Sequence, residues 1–76
     1  MTLKEILPGQ NCLIESINAD NVLAQRLLDL GLLPGTWVEV VRNAPLLDPV
    51  EMKLDGYLIS LRREEAEYVQ VEACYD

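Results

Sequence analysis

The 76-residue chain contains no histidine at all, which removes both the commonest general base and the commonest transition-metal ligand. It has only two cysteines, Cys12 and Cys74, near opposite ends and outside any CxxC pattern. Both are expected to be reduced thiols, since no secretory signal precedes them. They can meet only if the first and last strands pair, and two thiolates alone make a poor zinc site. No run of about 18 apolar residues occurs, so no membrane-spanning helix is expected. Met1-Thr2-Leu3-Lys4-Glu5 lacks the basic and apolar regions of a signal peptide, so a cytoplasmic chain is expected. Gly-rich phosphate loops, a nucleophile elbow and HExxH are all missing. No catalytic, cofactor-binding or metal-ligating residue is therefore assigned, and the chain is not expected to be an enzyme.

Basic residues are scarce as well. Six Lys and Arg stand against 13 Asp and Glu, giving a net charge of −7 and a pI near 4.3. That field repels a phosphate backbone, so nucleic acid is not an expected partner. The densest basic pair, Arg62-Arg63, is followed at once by Glu64-Glu65 and reads as a solvated charge run.

What is present is apolar patterning. Half the residues are hydrophobic, enough for a packed core in one small domain over residues 1–76. Leu7-Pro8-Gly9 and Leu33-Pro34-Gly35 each fit a type II turn, with Pro and then Gly at its central positions. Strands are expected after both, over residues 11–17 and 36–42. In the second, Val38 and Val40 face the core and Trp37, Glu39 and Val41 face outward. The first alternates less cleanly, and its facing stays open between Cys12 with Ile14 and Leu13 with Glu15 and Ile17.

Between these strands lies an amphipathic helix. Asn18, Asp20 and Asn21 are candidate N-caps, while Leu23, Leu27 and Leu30 form a stripe widened by Ala24 and Leu28. Gly31 sits where a left-handed residue ends a helix, and Pro34 prevents further winding. Asp55-Gly56 fits a two-residue hairpin turn and fixes a register: Leu54 opposite Tyr57, Met52 opposite Ile59, Val50 opposite Leu61. These six residues should share the inward face. Residues 62–67 have room for about one helical turn. Val69, Val71 and Ala73 then alternate along a closing strand. Short strands joined by tight turns suit a closed or nearly closed barrel.

Apolar residues also occur where polar ones are usual. Trp37 lies on the outward face of its strand, and Ala44-Pro45-Leu46-Leu47-Asp48-Pro49 is a loop with consecutive leucines. Such side chains either fold back onto the core or meet a partner. Trp37, Leu46 and Leu47 are the candidate partner-binding residues.

The run Arg26-Leu27-Leu28-Asp29-Leu30-Gly31-Leu32-Leu33-Pro34-Gly35-Thr36 resembles the helix-to-strand signature of the FeoA family. Val38 to Arg42, Ala44 to Val50, Gly56-Tyr57, Ile59 to Arg62 and Glu65-Ala66 continue the likeness in order, from about Leu3 to Glu72. The resemblance implies an SH3-like β-barrel of about five strands, with a helix inserted after the first strand and a short helical turn before the last. It further implies a non-enzymatic cytosolic accessory of ferrous iron uptake. Such a protein binds the FeoB transporter or its G domain and reaches the membrane only through that partner; the resemblance leaves its oligomeric state open. The alternative is a free-standing transition-metal-binding module, like the C-terminal domain of DtxR-type repressors. One departure stands out: Leu47 occupies the place of a family Gly, so either strain at Leu47 or a different loop is expected.

Overall fold

Asp55 and Gly56 both take positive φ, 49° and 82°, and turn the chain through a type I′ hairpin. The turn joins β3 (Val50–Leu54) to β4 (Tyr57–Leu61) in the expected register, with Val50 opposite Leu61, Met52 opposite Ile59 and Leu54 opposite Tyr57. Val50, Met52, Leu54 and Leu61 are buried. The inward-facing expectation fails at Tyr57, which is 72% exposed, and holds only in part at Ile59, which is half-buried. Both lie on the outermost strand, where the sheet has no further neighbour to cover them.

The computed structural model describes residues 1–75 without the side chain of Ala73, so the facing expected of Ala73 lies outside the described residues. The remaining strands are β1 (Asn11–Ile17), β2 (Trp37–Arg42) and β5 (Val69–Tyr75). All neighbouring strands are antiparallel, in the order β4-β3-β2-β1-β5. Hydrogen bonds do not close β4 onto β5 among the described residues, so the barrel is nearly closed rather than closed.

Both Leu-Pro-Gly turns form as expected. Gln10 N–H donates to the Leu7 carbonyl and Thr36 N–H to the Leu33 carbonyl, each across 3.1 Å. The turns also dock sideways: Gly9 N–H donates to the Val40 carbonyl and Gly35 N–H to the Ile14 carbonyl, both across 2.8 Å. Each turn thereby sets the start of its strand against β2 or β1.

Alternation along β2 is as read, with Val38 and Val40 buried and Trp37 and Val41 exposed. In β1 the open choice is settled in favour of Cys12 and Ile14, which are buried. Helix α1 (Asn21–Asp29) is capped by Asp20, whose carboxylate accepts from Leu23 N–H at 2.9 Å. Of its leucine stripe, only Leu27 is fully buried; Leu23 packs against the core edge and Leu30 is exposed. Gly31 ends the helix at φ 101°, and a Cβ there would meet Leu54 Cδ2 at 2.7 Å. Helix α2 (Arg63–Ala66) supplies the expected single turn before β5. It is linked to α1 by an ion pair between Arg26 and the buried Glu65.

The expectation of two reduced thiols is corrected. Cys12 and Cys74 are joined as a disulfide, with Cα atoms 4.2 Å apart. The cause is a bulge between β1 and β5. Asn11 opposes Tyr75 while Leu13 opposes Glu72, so β5 carries one residue more than β1 between these pairs, and Cys74 is set against Cys12.

Candidate partner-docking surface

The segment after β2 is a turn with a specific chemistry. Leu47 N–H donates to the Ala44 carbonyl across 3.2 Å, closing Ala44-Pro45-Leu46-Leu47. Pro45 occupies the first central position, and the second has φ 64°, the combination of a type II turn. That second position is usually Gly or Asn, and here it is Leu46. The left-handed residue of the loop is therefore Leu46 rather than Leu47, which stood out in the sequence. Holding a leucine in this region costs about 1–2 kcal/mol, so the rest of the structure has to impose it.

The imposing contacts come from far along the chain. Arg63 N–H donates to the Asp48 carboxylate at 2.6 Å, and the Arg63 guanidinium donates to the Ala44 carbonyl at 3.1 Å and to the Asn43 side-chain oxygen. Asn43 in turn donates through its amide nitrogen to the carbonyls of Lys4 and Ile6, at 2.9 and 2.6 Å. The N-terminal 3-10 turn (Leu3–Glu5), the loop and α2 thus share one network. Asn43 and Arg63 were missed in the sequence, where Arg63 read as part of a solvated charge run. Only the loop's enclosing prolines pointed to a constrained segment.

Held this way, the loop presents apolar surface to water. Leu46 is 96% exposed and Leu47 54%. Neither folds back as a cap on the core. Trp37, 44% exposed, is not brought together with them. It opens β2 while the loop follows the opposite end, about 17 Å away along the strand. Its neighbours are Leu13, directly opposite on β1, and Tyr75, whose ring centroid lies 5.4 Å away at a 58° tilt. Such tilted aromatic pairs attract through ring edge and face.

Among the described residues there is no pocket and no group of three or more His, Cys, Asp or Glu side chains placed to hold a metal ion. No helix is long and apolar enough to cross a membrane. What the surface offers is exposed apolar side chains on hydrogen-bonded backbone.

Comparison with known proteins places this architecture. The FeoA domain family model matches residues 1–73. An Fe(2+) transport protein A/Fe(2+) transporter FeoB fusion protein of Porphyromonas gingivalis is 38% identical over 72 residues. The match takes in 95% of this chain but only 8% of the fusion protein's length. The solution structure of a FeoA protein from Chlorobium tepidum superposes with a TM-score of 0.83 at 41% identity, covering 93% of this chain and 68% of that one. The crystal structure of Stenotrophomonas maltophilia FeoA complexed with zinc, described as an SH3 domain protein, gives 0.84 at 31% identity. The coverage there is 96% of this chain and 91% of that one. The curled five-stranded sheet is thus an SH3-like fold, and the chain belongs to the FeoA family, associated with ferrous iron transport.

Proposed function

We propose that this chain is a cytoplasmic, non-catalytic accessory of ferrous iron uptake that binds a FeoB-type transporter through the loop bearing Leu46 and Leu47. The observation that carries the reading is Leu46, an apolar side chain held in a left-handed conformation with nearly all its surface in water. A free loop would relax this arrangement. The Asn43–Arg63–Asp48 network maintains it, so little ordering entropy is lost when a partner closes over the leucines. The fused relative supports the choice of partner, because joining two modules in one polypeptide raises their effective concentration for each other. Trp37, with Tyr75, is a second apolar patch on the same domain and contributes separately.

Leu46→Ser and Leu47→Ser, assayed for capture by full-length FeoB and for thermal stability, test the reading. A buried anchor is worth about 2 kcal/mol or more on truncation, roughly a thirtyfold loss of affinity. The expected result is weakened capture with an unchanged melting temperature. Unchanged capture overturns the docking role, and a collapse in stability returns the leucines to the core.

A further inference from the structure

The two edges of the sheet are treated differently. That of β5 is partly covered: Thr2 bridges to Gln70, and Val71 N–H donates to the Met1 carbonyl across 3.0 Å. The opposite edge, β4, has no such cover. In a two-residue hairpin the residues flanking the turn form a hydrogen-bonded pair, and such pairs then alternate along the ladder. Tyr57, Ile59 and Leu61 therefore direct their backbone groups toward β3, and Leu58 and Ser60 direct theirs outward. Among the described residues no hydrogen bond reaches those outward groups. Exposed edges are normally protected by charge, proline or a bulge. Tyr57-Leu58-Ile59-Ser60-Leu61 has no charged residue and no proline, and its ladder with β3 runs without a register shift.

We propose that β4 is a homodimerisation edge, pairing antiparallel with β4 of a second copy about a twofold axis at Ile59. In that register Leu58 faces Ser60 of the second copy and the two exchange N–H···O=C bonds, which the twofold repeats. Every outward backbone group of β4 then finds a partner. Ile59 faces Ile59, and Tyr57 faces Leu61, so no charge opposes a like charge along the strand. The ends are complementary too. The Asp55-Gly56 turn of one copy comes against Arg62 of the other, and Asp55 and Arg62 are both exposed. A net charge of −7 on each copy opposes approach at long range, which favours pairing through this uncharged strand over pairing through the acidic surface. The joined sheets form one continuous sheet across the axis.

Sedimentation equilibrium over a concentration series, with amide hydrogen exchange on the same samples, tests this. The expected mass rises from 8.6 kDa toward twice that value, and exchange at the Leu58 and Ser60 amides slows in step. Ser60→Pro removes a donor that makes no bond within the monomer, so it should keep the circular dichroism of the fold and abolish the dimer. Should that variant not fold, the exchange data on the native chain decide. A monomer at every concentration overturns the proposal. So does a dimer whose Leu58 and Ser60 amides stay unprotected, or one that survives Ser60→Pro in a folded chain.

Discussion

The backbone N–H of Arg63 donates to the carboxylate of Asp48 across 2.6 Å, fastening the first residue of α2 to the loop that displays Leu46. Since the Arg63 side chain also holds Asn43 and Ala44, one residue ties both ends of the loop. Arg63→Ala keeps the backbone bond and removes the guanidinium. Its expected effect is a loop with faster amide motion and weaker capture by FeoB, at a stability cost of about 1–3 kcal/mol from the lost charged hydrogen bonds. Relaxation measurements over residues 43–48 check it; an unchanged loop would show that the guanidinium does not hold the turn.

A second expectation concerns the hairpin. Met52 is fully buried, so Met52→Ala should cost about 2–5 kcal/mol through lost transfer energy and a cavity. Lys53 is exposed on the opposite face, and Lys53→Ala should cost under about 0.5 kcal/mol. Denaturant unfolding of both variants gives the comparison, and equal losses would contradict the facing of β3.

Gly31 and Gly56 separate conformation from space. Both have positive φ, but only at Gly31 would a Cβ collide, with Leu54. Gly31→Ala should therefore lower stability by more than Gly56→Ala, whose cost is conformational alone at about 1–2 kcal/mol. Thermal melts of the two variants decide whether the Leu54 contact matters; equal shifts would show that Leu54 moves aside freely.

Glu5 provides a pH probe of the N-terminal turn. The hydrogen bond from Thr2 N–H, at 2.8 Å, is the main cause holding its carboxyl below the ordinary value of 4.5. A folded-state value below the unfolded one means that the contribution is present in full above the unfolded value. It is lost as pH falls through the lower, folded value. The Thr2 amide resonance should follow the Glu5 carboxyl in an NMR titration, with a midpoint below that of an exposed Glu. In Glu5→Gln this acid transition of Thr2 should vanish, and its persistence would assign the titration to another group.

The candidate loop itself was only half legible. Its prolines and consecutive leucines mark Leu46 and Leu47 in the sequence, since such residues are unusual in a turn. Which of them bears the left-handed backbone was not readable. That depends on where the Ala44–Leu47 turn closes, and the closing is enforced by Arg63, a residue distant in sequence. By contrast, the distance between Trp37 and the leucines follows from their places before and after the extended residues of β2.

Where a signal is local, the sequence alone determined the outcome. Asp55-Gly56 can adopt the mirror-image turn at little cost, and this set the β3–β4 register; Gly31 ended α1 in the same way, while the start was narrowed to Asn18, Asp20 or Asn21, of which Asp20 makes the cap. Tertiary structure decided what depends on neighbours remote in sequence. The inward face of β1 was chosen by two flanking strands, and Tyr57 was left in water because β4 is the last strand. Cys74 was carried onto Cys12 by a bulge in β5, a feature that exists only once strands at opposite ends of the chain have paired. Short-range preferences act on each residue independently of the fold, whereas edges, bulges and long-range hydrogen bonds come into being only with it.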